Sequence, residues 1–224
     1  MTKAQPLALH YRVARALLRV YFGGLCAVRV ENAALPEGSF VISMNHRSAL
    51  DMVVYVAILP RRIKFLAKKE LFSYPVLGWV VGRWCIPIDR GHYDRRALEL
   101  CRRALEDGYV LSVFPEGTRH ARLAVAHGGA VLLAARTGVP VVPGAIMGGY
   151  SPFQRLTVRF GPPLRFPPDL TRQRRLEGTE RLMETIRALG ATPAAPVRRR
   201  WRDRLGVRRR RRQRRRDGDA ERVG

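Results

Sequence analysis

The chain has few cysteines, few acidic residues and no long apolar run. Its three cysteines, Cys26, Cys85 and Cys101, are odd in number and lack C-x-x-C spacing, so neither a disulfide framework nor a zinc site is indicated. No pair of its histidines has metal-ligand spacing, and we expect no metal. Arginines interrupt the most apolar stretches before 18 residues are reached, which disfavours a membrane-spanning helix.

Acidic residues and lysines are both scarce beside arginine. Lys plus Arg number 42 against 18 Asp plus Glu, a formal net charge of +24, and only four of the cations are lysines. Residues 191–224 hold 14 arginines and four acids, so the remaining residues still carry +14. The imbalance predicts negatively charged partners such as anionic lipid, phosphorylated substrates or nucleic acid.

What the chain does contain is enough apolar sequence for one domain of ordinary size, since 46% of its 224 residues are hydrophobic. Beyond Gly38, short β-rich runs alternate with helical stretches, a pattern typical of α/β proteins. We predict a single layered α/β domain with a mixed, largely parallel sheet flanked by helices. The predicted strands lie at 40–44, 63–67, 85–88, 109–114, 139–146 and 156–160, and the predicted helices at 49–59, 94–107, 127–137 and 171–189.

Two segments flank this predicted domain. Apolar residues recur at helical spacing over residues 7–26, with arginines mostly elsewhere, which predicts a basic amphipathic helix that either lies in a membrane interface or docks on the core. Residues 198–216 are dominated by arginine, which predicts a disordered basic tail. The expected organisation is a helical segment at 1–30, the layered α/β domain at 31–190 and the tail at 191–224.

The most informative segment is the string NHRSALD at 45–51, between a predicted strand and a predicted helix. Such turns are where α/β proteins place ligand sites. His46 can act as a general base if a carboxylate orients it, and Asp51 can fold back toward it from the first helical turn. The alternative is structural, because Ser48 and Asp51 also form an S-x-x-D capping box.

A second string, FPEGTR at 114–119, also leaves a predicted strand. Gly117 permits close approach of a ligand, Thr118 offers a hydroxyl, and Arg119 presents a planar fork suited to phosphate oxygens. The alternative is an ordinary Pro-Gly turn with a solvated arginine.

These two strings, in this order, resemble the glycerolipid acyltransferase family. The chain also contains two segments similar to the other blocks of that family: KFLAKKEL at 64–71 followed by CIPIDR at 85–90, and VPVVPGAI at 139–146. Along the chain, FPEGTR is the third of these blocks. The sequence departs from the family after it: family members often carry Phe-Lys before a glycine there, and this chain has Ala126 and His127.

The resemblance implies that His46 is the general base and Asp51 its orienting partner. It places the acceptor and its phosphate near Arg90, Glu116, Gly117, Thr118 and Arg119. Further site residues suggested by the matching blocks are Asn45, Ser48, Lys68, Lys69 and Pro143.

The implied reaction transfers a fatty acyl group from acyl-CoA or acyl-ACP to a lysophospholipid hydroxyl, with 1-acyl-glycerol-3-phosphate as the expected acceptor and phosphatidic acid as the product. Another lysolipid or a lipid alcohol is the alternative acceptor. The chemistry needs no cofactor beyond the thioester and no covalent intermediate, which agrees with the lack of a G-x-S-x-G elbow. We therefore expect an enzyme of phospholipid biosynthesis, peripheral or monotopic on the cytoplasmic face of the cell membrane.

The arginine-rich tail leaves a nonenzymatic class open, namely a basic protein that binds nucleic acid or membranes. Nucleic acid is disfavoured because Trp201 is the only aromatic residue of the tail, and no zinc-finger or RNP string occurs. Attraction to an anionic membrane surface is the favoured role, and a merely solvated tail is the alternative. Acyl carrier protein is a further candidate partner.

Overall fold

The computed structural model describes residues 9–22, 27–32, 34–89, 94–115 and 128–191, and structural statements below concern these residues. Seven strands form one sheet in the order β1-β7-β6-β2-β5-β3-β4. The strands are β1 Ala27–Glu31, β2 Val41–Met44, β3 Ile63–Lys68, β4 Cys85–Ile88, β5 Val110–Ser112, β6 Val141–Gly148 and β7 Arg155–Phe160. All neighbours pair in parallel except β6 and β7, so the sheet is mixed and largely parallel, as predicted.

Helices connect and cover the strands. They are α1 Leu9–Val20, α2 Leu50–Ile58, α3 Pro75–Trp84, α4 Arg95–Glu106, α5 Gly129–Thr137 and α6 Arg172–Ala191, with a 3₁₀ helix at Lys69–Ser73 before α3. A parallel pair of neighbouring strands needs a crossover connection, and α3 supplies the one between β3 and β4.

Alternation along the strands divides the core between the two faces of the sheet. In β2, Ile42 and Met44 join one apolar cluster with residues of α1 and α2, while Val41 joins a second cluster with residues of α4, α5 and α6. This period of two is what a strand buried on both faces requires. The six strands and four helices predicted beyond Gly38 are all present, with boundaries shifted by no more than two residues; residue 127 of the predicted helix 127–137 lies outside the described residues.

Besides the short 3₁₀ helix, two elements were not predicted. Strand β1 pairs in parallel with β7 at one edge of the sheet, and it spans both sides of the expected boundary at residue 30. Helix α3 lies between the predicted strands β3 and β4 and contains two glycines and three valines, which are weak helix formers. The formation of α3 therefore depends on the crossover it makes.

The N-terminal prediction of a basic amphipathic helix is confirmed over Leu9–Val20, within the expected 7–26. One side of α1 docks, because Tyr11 is buried and its hydroxyl donates to the carbonyl of Arg61 at 2.6 Å. The opposite side is exposed and carries the apolar residues Leu9, Val13 and Leu17. No helix of the described part of the chain is long and apolar enough to span a membrane. The predicted tail lies outside the described residues.

Candidate active site

The turn between β2 and α2 brings His46 and Asp51 together. His46 Nδ1 lies 3.0 Å from Asp51 Oδ2, which leaves Nε2 as the ring nitrogen for any further partner. Asp51 is in the first turn of α2, as the pairing requires, and it is fully buried. The predicted juxtaposition is thus present, while the catalytic role of the pair stays a prediction.

Four donors converge on the Asp51 carboxylate. Oδ2 accepts from His46 and from the backbone N–H groups of Arg47 at 2.9 Å and Ser48 at 3.0 Å, and Oδ1 accepts from the hydroxyl of Tyr150. Burial by itself raises the pKa of Asp51, but the hydrogen bonds, led by that from His46, outweigh burial and hold the pKa below its ordinary value. The carboxylate is therefore ionised at neutral pH.

The capping-box alternative is present in part. The Asp51 carboxylate accepts from the Ser48 N–H, which is one half of such a box. The other half is altered, because Ser48 Oγ accepts from the N–H of Leu50 at 3.2 Å. Capping and pairing with His46 thus use the same carboxylate, so the structural and chemical interpretations of Asp51 are compatible.

Side chains of the turn also bond to the end of β6. Asn45 Nδ2 donates to the carbonyl of Ile146 at 3.0 Å, and Asn45 Oδ1 accepts from the Ile146 N–H at 2.8 Å. The Arg47 guanidinium donates to the Gly148 carbonyl at 2.8 Å. Asn45 was suggested as a supporting residue, and its place at the seam between β2 and β6 gives it the means to fix the turn.

On its other side the turn packs against the residues that follow β5. The ring of Phe114 stacks on His46, with centroids 4.0 Å apart and an interplanar angle of 23°. Ser43 Oγ donates to the carbonyl of Val113 at 3.1 Å. The imidazole is therefore held on one face by an aromatic ring and at one edge by a carboxylate, which leaves it little freedom to rotate.

Two lysines of the second matching block lie at the same edge of the sheet as His46. Lys68 ends β3 and is exposed, and Lys69 forms an ion pair with Asp89, the residue that follows β4. The carboxyl ends of parallel strands meet at one edge, so these cations and the His46 turn share it. Lys68 therefore supplies positive charge at this edge, while Asp89 offsets the charge of Lys69.

The remaining predicted site residues are placed as follows. Arg90, Glu116, Gly117, Thr118 and Arg119 lie outside the described residues. Pro143 lies inside β6, where it is paired with Ser43 of β2 and is buried. Its position is in the sheet rather than in the turn.

Sequence reasoning missed two residues that contact the pair. Phe114 opens the second string but was given no role, and Tyr150 belongs to no string. The signal for Tyr150 was slight: an aromatic hydroxyl follows Gly148 and Gly149 just past a predicted strand. Recognising its role requires knowing that β6 lies next to β2, which the sequence does not reveal.

Thiol and metal chemistry have little support in the described residues. Burial raises the pKa of Cys85 to about 11 and that of Cys101 to about 12, so both thiols stay protonated at neutral pH. No group of three His, Cys, Asp or Glu side chains in the described ranges is placed to hold a metal ion.

The protein therefore has an α/β fold and, in the turn between β2 and α2, a hydrogen-bonded His–Asp pair of the kind used for proton transfer. The family model "Acyltransferase" matches residues 27–147, more than half of the chain. The chain therefore belongs to the acyltransferase family, as its four matching blocks predicted.

Named relatives agree with this assignment. The chain is 36% identical over 126 residues to the chloroplastic 1-acyl-sn-glycerol-3-phosphate acyltransferase BAT2 of Brassica napus, covering 53% of this chain and 36% of that protein. It is 32% identical over 128 residues to the 1-acyl-sn-glycerol-3-phosphate acyltransferase of Bacillus subtilis, covering 56% and 64% respectively. The matched region is thus less than two thirds of either relative.

A solved structure shows the same fold. The crystal structure of the 1-acyl-sn-glycerophosphate (LPA) acyltransferase PlsC from Thermotoga maritima superposes with a TM-score of 0.63 at 23% identity, covering 82% of this chain and 81% of that one. The mixed, mostly parallel sheet with flanking helices is therefore an architecture already seen in a protein of that name.

Proposed function

We propose that this protein transfers a fatty acyl group from an acyl thioester, acyl-CoA or acyl-ACP, to the free hydroxyl of a lysophospholipid. The acceptor of choice is 1-acyl-glycerol-3-phosphate, because the relatives are named for that substrate, and the product is then phosphatidic acid. The observation that carries the proposal is the His46–Asp51 pair, held rigidly at the carboxyl edge of the sheet in a chain of the acyltransferase family.

The geometry suits direct transfer. His46 Nε2 accepts the proton of the acceptor hydroxyl while the oxygen attacks the thioester carbonyl, and Asp51 stabilises the imidazolium from the Nδ1 side. The C–O bond forms, the C–S bond breaks, and the proton passes from His46 to the leaving thiolate. The protonated state of Cys85 and Cys101 fits a mechanism without a thiol nucleophile.

Recognition of the acceptor phosphate is assigned by resemblance to Arg90 and to residues 116–119, with Arg119 as the two-pronged ligand. Lys68 supports this assignment because it adds positive charge at the same edge of the sheet, whereas the charge of Lys69 is offset by Asp89. An anionic lipid head group is therefore a better fit to this edge than a neutral alcohol.

Contact with a lipid surface fits the exposed apolar residues. One group of them lies at the start of α2 (Leu50), near the start of α3 (Tyr74, Val76, Leu77) and in the β6–β7 connection (Phe153), which follow the carboxyl ends of parallel strands, and another lies on the exposed side of α1. Neither α1 nor α3 contains an acidic residue. An apolar surface with basic neighbours is what an anionic membrane interface selects, and we assign the protein a peripheral or monotopic place on the cytoplasmic side of such a membrane.

The tail is proposed to add electrostatic attachment, acting within a Debye length of about 8 Å at physiological ionic strength. Deleting residues 191–224 should leave turnover on detergent-dispersed substrate nearly unchanged while weakening binding to anionic vesicles and its salt dependence. Equal vesicle binding by both proteins at low salt would remove the tail from this role. Tighter binding to nucleic acid than to vesicles would favour the nonenzymatic alternative.

The deciding experiment incubates the purified full chain with an acyl-CoA mixture and a panel of lysolipids, and identifies products by mass spectrometry. We expect phosphatidic acid from 1-acyl-glycerol-3-phosphate, and no product from the His46→Ala variant. A different lysolipid product would move the proposal to the alternative acceptor, and absence of any acylated lipid with acyl-CoA and acyl-ACP alike would reject it.

Arg119→Lys separates the two substrates of the proposed reaction. The substitution keeps the positive charge but replaces the planar, bidentate guanidinium by a single ammonium group. It should therefore raise the Michaelis constant of the acceptor more than that of the thioester. Equal effects on both constants would take Arg119 out of the phosphate site.

A further inference from the structure

Tyr150 contacts the His46–Asp51 pair from a distant part of the chain. Three of the four described donors to Asp51 lie within five residues of it and bind Oδ2, whereas the fourth, the Tyr150 hydroxyl, binds Oδ1 and is 99 residues away. The two carboxylate oxygens therefore accept hydrogen bonds from different parts of the chain, Oδ2 from the turn after β2 and Oδ1 from the segment after β6.

The backbone conformation at the end of β6 places Tyr150 beside Asp51. Gly148 has a φ of +94°, and a Cβ on it would lie 2.0 Å from the carbonyl oxygen of Arg155, so a side chain there is excluded. The Gly149 N–H donates to the same carbonyl at 3.1 Å, which turns the chain back toward α2. The Arg47 guanidinium donates to the Gly148 carbonyl and so ties this turn to the segment that contains His46.

The ionisable groups around the pair define how this contact acts. Among the residues that the structure describes, those facing it are Arg47 from the turn, Tyr55 from α2 and Tyr150 from the β6–β7 connection, with Phe114 as the apolar wall. Burial and the hydrogen bond to Asp51 raise the pKa of Tyr150, so its hydroxyl stays a donor throughout the physiological range. A neutral donor on Oδ1 withdraws charge from the carboxylate, which weakens its pull on the imidazolium.

We infer that Tyr150 is a positioning residue for the reaction proposed above: its hydroxyl fixes Asp51 so that Oδ2 faces His46, and it sets how basic His46 becomes. Removing the hydroxyl leaves Asp51 a stronger acceptor, which stabilises protonated His46. The pKa of His46 then rises, and the neutral base needed for catalysis forms only at higher pH.

The test is Tyr150→Phe, matched by Tyr11→Phe, which also removes a hydroxyl hydrogen bond but from the Arg61 carbonyl on the docked side of α1. His46 is titrated by NMR in the isotope-labelled full chain, with His46→Gln to assign its signals. We expect Tyr150→Phe to move the His46 titration and the acid limb of kcat/KM to higher pH by the same amount, whereas Tyr11→Phe moves neither.

A second measurement avoids reliance on a variant that folds poorly. Fluorotyrosine placed at position 150 alone makes that phenol a stronger donor, so it should move the His46 titration to lower pH in the otherwise unaltered chain. Equal losses of melting temperature in the two Phe variants, with no shift of the His46 titration in any sample, would reduce Tyr150 to a structural residue. The titration needs no substrate, so absence of acyl transfer by the wild-type protein would reject the proposed reaction and leave this readout intact.

Discussion

Helices α2 and α3 occupy equivalent places, since each leaves the carboxyl end of a parallel strand and both are rich in apolar residues, yet their environments are opposite. In α2, Asp51 and the four residues 54–57 are buried. In α3 no residue is buried, and Val76 is 80% and Trp79 64% exposed. The difference shows that composition alone does not decide burial.

The contrast also separates two tasks. Helix α2 packs into the core, and this packing fixes Asp51 so that its Oδ2 lies 3.0 Å from His46 Nδ1. In helix α3, Trp84 of the last turn lies against Tyr11 of α1, with ring centroids 4.5 Å apart and an interplanar angle of 31°. One helix positions chemistry, and the other presents a surface.

The largest effect is expected on the α2 side, from His46→Ala. Loss of a general base should lower kcat by about 10²- to 10⁴-fold. Steady-state kinetics on 1-acyl-glycerol-3-phosphate measure the loss, and circular dichroism checks the fold. Thr185→Ala, a change at a half-buried position on α6, serves as the control that should retain activity. Retention of more than a tenth of wild-type kcat by His46→Ala would remove His46 from the reaction.

Truncating one aromatic residue in each helix tests the contrast in packing. Tyr55 is fully buried, so Tyr55→Ala should cost about 3–5 kcal/mol of unfolding free energy, as other buried aromatic truncations do. Trp79→Ala removes an exposed ring and its contact with Arg83 and should cost less than about 1 kcal/mol. Denaturant titration compares them, and similar costs would show that α3 is packed as tightly as α2.

Asp51→Asn tests the carboxylate that links capping and chemistry. Activity should fall strongly, and stability should fall too, because the carboxylate accepts two backbone N–H groups. The pKa of Asp51 is lowered on folding, so its charge stabilises the fold above the ordinary pKa of about 4, and that contribution is lost as the pH falls below it.

The stability gap between wild type and Asp51→Asn should therefore be widest near pH 7 and shrink toward pH 3, as measured by denaturation across pH. A pH-independent gap would mean that the charge adds nothing to folding. Full turnover with a lowered melting temperature would leave Asp51 with its capping role alone.

Leu77→Asp tests the surface role of α3. A charge on its exposed apolar side should weaken partitioning to phosphatidylglycerol-containing vesicles by about tenfold or more, while unfolding free energy changes by less than about 0.5 kcal/mol. Leu176→Asp is the matched control, because Leu176 is similarly exposed on α6, on the other face of the sheet. Sedimentation with vesicles reads the result, and equal binding by both variants would exclude α3 from the membrane contact.

The smallest effect is expected from Ser48→Ala. Its hydroxyl bonds the Leu50 N–H, and loss of such a cap costs about 0.5–1 kcal/mol. Turnover should stay close to wild type because the His46 contact does not involve this hydroxyl. A large loss of kcat with unchanged stability would give Ser48 a direct part in the reaction.

Much of the central fold followed from local patterns. Strand β2, the turn at His46 and helix α2 were predictable because an apolar run, an S-x-x-D start signal and a second apolar run stand in direct succession. Strand β1 escaped prediction because it is short and its partner β7 is more than 120 residues away. The four acyltransferase blocks identified the family because they depend on local strings in a fixed order.

By itself, the sequence determined the α/β class, the family and the pairing of His46 with Asp51, since these depend on strings of a few residues and their spacing. Tertiary structure alone decided that Tyr150 and Phe114 reach the pair, because both contacts depend on β2 lying between β5 and β6 in the sheet. It also decided that α3 is exposed while α2 is buried. Strand order and burial arise from contacts between distant segments, which no local pattern encodes.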